Sequence, residues 1–198
     1  MVAKRIFDVC FSLTGIILLS PLFTLIALLI AIDNGAPIFY FQKRVGRKHK
    51  LFKLVKFRTM IIKADQHGYL TIGCNDRRIT KAGYYLRKYK LDELPQLFNV
   101  LIGDMSFVGP RPEVSKYVQL YTLKQQRVLS VKPGITDWAS IQFFNENELL
   151  ARSEDPEGLY TNRIMPSKIE QNLKYIDRRD MLTDVKIIFR TLKRVVYK

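Results

Sequence analysis

Between Val9 and Ile32 the chain carries no charged side chain. This run of roughly 24 residues extends about 36 Å as a helix, long enough to cross the hydrocarbon core of a bilayer. It sets the surroundings of everything that follows. Lys4 and Arg5 precede it, and no small-residue cleavage site follows, so a retained membrane element is expected rather than a removed signal peptide. Ser20-Pro21 lies in the middle of the run. Proline has no backbone N–H and clashes with the preceding turn, and the residue before it is pushed out of the helical region. Two arrangements fit. In one, a kinked helix spans the membrane once. In the other, the helix enters, breaks at Ser20-Pro21 and returns to the same face, each half of about 12 residues being too short to cross alone. Lys4 and Arg5 favour a cytosolic N-terminus, and the chain after the run is still more basic. Both signals are met if both flanks are cytosolic.

The remainder is long enough for one modest domain, with 198 residues in all and 47% of them apolar. Lysine and arginine number 33 against 18 acidic residues, a formal charge of +15. That excess calls for a polyanionic partner: nucleic acid, anionic lipid or a phosphorylated substrate. Cys10 and Cys74 make no disulfide framework, which fits a reducing, cytosolic setting for the bulk of the chain. His49 and His67 are the only histidines. Metal centres of Cys and His, and Ser-His-Asp hydrolysis, lack parts.

Local patterns predict a mostly helical α+β fold. "PIFYFQKRVG" and "HKLFKLVKFRTM", joined by Arg47-Lys48-His49-Lys50, read as a small β-hairpin. "KAGYYLRKYK" reads as a basic helix. Asp92 is a good N-cap for a helix with Leu94, Leu97, Phe98 and Leu101 on its apolar face, ended by Gly103. "GDMSFVGPRP" reads as a loop, Glu113 to Gln126 as helix, and "VKPGITDWASIQF" as a turn followed by an extended stretch. Two helices are expected over residues 160–176 and 182–197. The last is amphipathic: Val185, Ile188, Phe189, Leu192, Val195 and Val196 share one face, and Lys186, Arg190, Lys193 and Arg194 lie opposite. That face can dock on the core or lie on anionic lipid.

The Asp92-Glu93 pair has two readings. A carboxylate at a helix start caps it and suits its dipole. Here, however, Arg87, Lys88 and Lys90 stand before the pair and Arg111 after it, in a glycine- and proline-punctuated loop that also holds Asp104. Carboxylates among arginines fit a bound phosphate with a divalent cation, because Mg²⁺ takes carboxylate and phosphate oxygens together. Neither a P-loop nor a dinucleotide-binding glycine pattern is present. Side chains and helix N-termini would have to hold the phosphate.

"LDELPQLFNVLIGDMSFVGPRP" strongly resembles the signature of the bacterial sugar transferases, the monotopic phosphoglycosyl transferases. The resemblance extends to "RIFD", the Ser-Pro in the apolar run, "QKRVG", "FKLVKFRTM" and "VKPGITDWA", and so covers nearly the whole chain. It implies transfer of a sugar 1-phosphate from a UDP-sugar to polyprenyl (undecaprenyl) phosphate, releasing UMP, as the first membrane step of glycoconjugate assembly. It implies Asp92 as nucleophile, and Glu93 together with Asp92 as Mg²⁺ ligands. Phosphate contacts fall to Arg87 and Arg111, the latter stiffened by Pro110 and Pro112, with Lys56 and Arg58 on the second hairpin strand facing the same site. It favours the re-entrant arrangement, with residues 1–34 as the helix-break-helix membrane element and 35–198 as a catalytic domain facing the cytosol of the bacterial inner membrane and closed by amphipathic interfacial helices. Partners would be membrane lipids and downstream glycosyltransferases, not nucleic acid. Asp104 supports the loop.

The sequence departs from many relatives at "PGITDWASIQFFNENELL", where Asp137 replaces a glycine, Ser140 a glutamine, and no arginine occurs until Arg152. In the family this region lies toward the nucleotide sugar, so the departure concerns the identity of the sugar. The rival reading is a non-catalytic membrane-anchored basic protein binding anionic lipid or nucleic acid. It gives the acidic pair no task.

Overall fold

The computed structural model describes residues 2–62, 64, 70 and 76–197; His67 and Cys74 lie outside the described residues. The fold is α+β and mostly helical. In chain order it contains helix α1 (Val2–Asn34), strands β1 (Phe39–Val45) and β2 (Leu51–Phe57), helices α2 (Lys81–Lys88) and α3 (Gln96–Ile102), strand β3 (Ser106–Val108), helix α4 (Ser115–Val118), strand β4 (Gly134–Thr136), and helices α5 (Trp138–Gln142), α6 (Glu146–Ala151), α7 (Pro156–Leu159), α8 (Met165–Asp177) and α9 (Met181–Val196).

The break expected at Ser20-Pro21 does not interrupt α1, which runs as helix through Pro21. The local chemistry explains why. Pro21 cannot donate to the Ile17 carbonyl, but the Ser20 hydroxyl does so at 2.8 Å, and the Thr24 hydroxyl donates to the Ser20 carbonyl at 3.1 Å. Hydroxyls thus satisfy acceptors in and beside the turn that proline disturbs.

Polar and apolar contacts hold α1 against the rest of the fold along its length. Arg5 donates to the carbonyls of Val100 and Leu101 at 2.7 Å each, satisfying the C-terminal end of α3. Asp8, buried, accepts from the Ser106 hydroxyl and the Phe107 backbone N–H at 3.1 Å. Gly15 faces Leu97, and Phe23 packs on Phe57 and Phe98. Ile26 and Ile30 enter a core cluster with Phe57 and Leu86. At the far end Asp33 accepts from Ala82 N at 3.0 Å, and Arg58 donates to the Asn34 carbonyl at 2.7 Å. The helix from Lys4 to Asp33 is about 44 Å long, and both its ends touch the same body. Its outer side, including Ile6, Phe11, Ile17, Leu18, Leu28 and Ile32, is exposed.

The hairpin forms as expected: β1 and β2 pair antiparallel from Phe39↔Phe57 to Val45↔Leu51. The stretch expected as a loop contains β3, which pairs in parallel with β4. The two segments can approach because Gly109 and Gly134 lack side chains. A Cβ at Gly134 would fall 2.2 Å from Gly109 N and 2.5 Å from its carbonyl oxygen. Of the helix expected over residues 113–126, only Ser115–Val118 is α-helical; a 3-10 turn covers Gln125–Ser130. Between Tyr160 and Ile164 a π-helical turn leads into α8. Val114, Tyr117, Tyr121, Val128, Leu150, Tyr160, Ile169 and Leu173 fill the largest core.

Helix α9 spans the expected residues, but its apolar face docks only in part, with Ile188 and Val195 half-buried and Ile188 packed on the core around Ile187. It packs through Asp184 and Ile187, and leaves Leu182, Val185, Phe189, Leu192 and Val196 exposed. Those five recur at helical spacing as one outward apolar stripe.

Replacing Gly134 with Ala should cost roughly 1–3 kcal/mol, the range for overpacked sites. A drop in Tm in detergent without loss of helical circular dichroism checks this; an unchanged Tm would show that β3 and β4 separate without strain.

Candidate functional site

Helix α2 ends at Lys88, and Lys90 adopts a left-handed backbone (φ 58°) that turns the chain into a 3-10 turn, Leu91–Glu93. Helix α3 begins only after Pro95, whose φ of −62° suits a helix start. Asp92 is therefore not the N-cap that its position in the sequence implies. No side-chain cap bond is made there, and both carboxylates sit one turn ahead of α3, in the wall of a cavity of about 680 Å³.

The two acids differ in their surroundings. Glu93 accepts from Arg111 through both guanidinium nitrogens, Nη1 at 3.0 Å to Oε2 and Nη2 to Oε1, and from Lys56 Nζ at 3.1 Å. Burial by itself would raise its pKa, but Arg111 and Lys56 outweigh burial and hold the carboxyl well below the usual range. Asp92 is 6% exposed, and among the described residues no side chain donates a hydrogen bond to it. Burial pushes its pKa up; Lys56 opposes and Glu93 adds to the rise. Burial likewise lowers Lys56, with Glu93 opposing. The turn thus holds one firmly ionised carboxylate, neutralised by two cations, next to one that is desolvated and unclamped.

Arg111 is oriented from behind. Its backbone N–H donates to Asp137 Oδ2 at 3.1 Å. Pro110 and Pro112 are buried, and their carbonyls accept from Gly134 N and Arg44 Nη1, each at 3.0 Å. These prolines pin the arginine's backbone. Arg87 lines the same cavity and reaches the Thr59 hydroxyl at 3.5 Å. Arg58 is 5% exposed and binds the carbonyls of Asn34 and Gly35, at the end of α1. Its Nε and Nη1 have no hydrogen-bond partner among the described residues, and the residue also lines the cavity. Asp92, Glu93, Lys56, Arg58, Arg87 and Arg111 are thus gathered around one space. Asp104 is half-buried outside that lining, and Ser20 and Pro21 lie on the exposed length of α1.

Sequence reasoning missed what Asp137 does. It is fully buried, accepts from Asn172 Nδ2 at 2.9 Å and from Ser140 N, and caps α5. Asp before "WAS" at a helix start was the available signal. Also missed were the Glu146–Lys168 ion pair (2.8 Å) and the Glu113–Tyr160 hydrogen bond, both in the cavity wall. Their members are far apart in sequence, and spacing gives no hint of them.

Among the described residues no cluster of three His, Cys, Asp or Glu side chains occurs. The donor set that could serve Mg²⁺ is Asp92 and Glu93, two adjacent carboxylates in a cationic cavity. It fits an ion that completes its shell with phosphate oxygens and water. Asp92 is open to such an ion, whereas Glu93 would have to exchange a bond to Arg111 or Lys56.

The two acids should behave oppositely when neutralised. A carboxyl with a raised native pKa stabilises the fold only below its unfolded pKa and loses that contribution as pH rises through the native value. Asp92→Asn should therefore raise Tm at pH 7, by a margin that narrows on acidification. Glu93, with its pKa depressed, stabilises above its unfolded pKa. Glu93→Gln should lower stability by roughly 2 kcal/mol, less than the 3–5 of a fully buried pair because the Arg111 side chain is 31% exposed. Thermal melts between pH 4 and 8 test both, and equal shifts of one sign would contradict this assignment of the charges.

The sequence profile described as Bacterial sugar transferase matches residues 1–198. The chain is 37% identical to an uncharacterized sugar transferase, EpsL, of Bacillus subtilis strain 168, over 99% of this chain and 88% of that protein. It is 35% identical to the UDP-N-acetylgalactosamine-undecaprenyl-phosphate N-acetylgalactosaminephosphotransferase of Aeromonas hydrophila, over 98% of this chain and 43% of the relative. To the UDP-glucose:undecaprenyl-phosphate glucose-1-phosphate transferase of Xanthomonas campestris pv. campestris it is 39% identical, over 99% of this chain and 39% of the relative. It thus spans less than half the length of those two and most of the first. With its full length matched and its acidic pair set in a cation-lined cavity, the chain belongs to the bacterial sugar transferase family.

Proposed function

We propose that this protein transfers a sugar 1-phosphate from a UDP-sugar to undecaprenyl phosphate, with Asp92 as nucleophile. The observation that carries the reading is the contrast within the acidic pair: Glu93 is locked in cations, and Asp92 is desolvated, with no side chain among the described residues donating to its oxygens. A protein that only adsorbs polyanions gains nothing from a carboxylate buried among its cations.

In the first step an Asp92 carboxylate oxygen attacks the β-phosphorus. The new P–O bond forms as the bond to the UMP oxygen breaks, and UMP leaves with that electron pair. In the second, a phosphate oxygen of the lipid attacks the same phosphorus, the aspartyl–phosphorus bond breaks, and the carboxylate is restored. Neither step requires a proton from Asp92, and acyl phosphates of this kind are known intermediates. Partial desolvation strengthens Asp92 as a nucleophile, because fewer water hydrogen bonds must be lost. Arg87 and Lys56 balance charge on the phosphates, and Arg111, turned by Asp137, holds the neighbouring carboxylate in register. Mg²⁺, held by Glu93 and Asp92, would offset charge as the diphosphate splits.

The membrane placement belongs to the same proposal. Helix α1 enters the bilayer only shallowly from the cytosolic face of the inner membrane, with both ends on that face, and α9 lies in the interface on its outward apolar stripe. Both ends of α1 bind one body, through Arg5 at the first and Asp33 at the second, which supports this arrangement over a single span. A headgroup acceptor would then meet Asp92 at the level of the interface.

Mixing the protein with a panel of UDP-sugars and Mg²⁺, without lipid, should give a stoichiometric adduct on Asp92 by mass spectrometry and an equivalent of UMP. Adding undecaprenyl phosphate should discharge it. Asp92→Asn should abolish the adduct and lower turnover by at least roughly 10³-fold. Full turnover in that variant would refute the nucleophile. Single cysteines placed at Val2 and Asn34, after removal of Cys10 and Cys74, should both react with an impermeant maleimide only in inverted vesicles. Labelling from opposite faces would establish a span.

A further inference from the structure

The cavity that holds Asp92 has a second polar region with no part in the phosphate chemistry above. Lys168, 9% exposed, donates to Glu146 Oε2 at 2.8 Å, and its Nζ lies 5.5 Å from the Tyr160 ring centroid. The Tyr160 hydroxyl in turn donates to Glu113 Oε1, and Arg44 approaches Glu113 Oε2 at 3.4 Å. Burial, together with the Glu113 and Glu146 carboxylates, pushes the tyrosine hydroxyl upward, so it remains a donor. Asn147, half-buried, lines the same cavity next to Glu146. This region adjoins the catalytic turn. Glu146 lines the same cavity as Arg111, the partner of Glu93, and Lys90 lies over the ring of Phe144 at 5.4 Å.

We propose that Glu146, Lys168 and Asn147 form the subsite for the sugar of the nucleotide sugar, reading its hydroxyl groups. The assignment rests on the transfer reaction proposed above. Each sugar hydroxyl both donates and accepts. Next to one another in the cavity wall stand a carboxylate that accepts, an ammonium that donates and an amide that does both. Lys168 sits on the Tyr160 ring, and Tyr160 is itself fixed by Glu113, so the ammonium is pre-placed. Polar groups fixed in a cavity wall discriminate between substrates, because a sugar whose hydroxyls point elsewhere forgoes the hydrogen bonds they offer. Glu146 and Asn147 are adjacent at the start of α6. The family's capacity for different sugars then has a place to reside.

The test uses the full chain in detergent with Mg²⁺, undecaprenyl phosphate, and UDP-glucose, UDP-galactose, UDP-N-acetylglucosamine and UDP-N-acetylgalactosamine. UMP release is measured for each, and UDP serves as a competitive inhibitor that carries the nucleotide without the sugar. Glu146→Gln and Asn147→Ala should each lower kcat/KM for the preferred sugar by about 10-fold or more, change the ranking among the four, and leave the UDP inhibition constant unaltered. Because Glu146→Gln also removes the partner of a buried lysine, Asn147→Ala carries the test if that variant misfolds. Equal loss for all four sugars, or weaker UDP inhibition in parallel, would assign these residues to the nucleotide and overturn the proposal. Activity with an unchanged ranking overturns the sugar subsite alone; a wild-type protein that turns over no UDP-sugar takes down the transfer reaction and the subsite together.

Discussion

The clamp of Glu93 by Arg111 and Lys56 joins three parts of the chain that are remote in sequence: the turn after α2, the glycine-proline loop after β3, and the second hairpin strand. An ionised group can remain in a poorly solvated place only when opposite charge compensates it. Once the clamp has set these segments, the position of Asp92 follows from the chain, since it is the adjoining residue on the same short turn. Its burial in the cavity wall comes from that placement rather than from a hydrogen bond to its side chain among the described residues.

Behind the clamp the support is mostly backbone. The carbonyls on either side of Arg111 accept bonds from β4 and β1, its N–H goes to Asp137, and Asn172 brings α8 to the same carboxylate. The wall of the cavity is therefore built from segments on both sides of β3 in the chain. The small parallel pairing of β3 and β4, possible because Gly109 and Gly134 leave room for one another, is what brings the loop and β4 within reach.

Much of this was legible in the residues. The hairpin, the helices at 81–88, 165–177 and 181–196, and the glycine stop at Gly103 follow from periodicity and turn chemistry. The acidic pair and its basic neighbours stood out by their improbability, and Arg87, Arg111 and Lys56 do line one cavity with it. Several things were not legible. Asp92 read as a cap because aspartate favours caps, whereas Pro95 shifted the helix start by a turn. Pro21 read as a break because the sequence rule concerns a missing N–H; the neighbouring Ser20 hydroxyl offered a local replacement donor. The direction of α9's apolar face could not be inferred, since docking on protein and facing lipid demand the same pattern. The Glu146–Lys168 and Glu113–Tyr160 pairs depend on tertiary placement alone.

By length and apolar surface alone, helix α1 would suit an anchor that could be cut away. Here its charged first turns close off the end of α3 and hold the start of β3 through Asp8, and its last turns fill a core around Phe57 and Leu86. The rest of the fold is consequently not separable from α1. A construction that begins after Asn34 would leave carbonyls bare, strand β3 without its carboxylate and a hydrophobic trough open to water. Solubilising the enzyme therefore calls for recolouring the outer surface of α1 with polar side chains while its inner surface is kept.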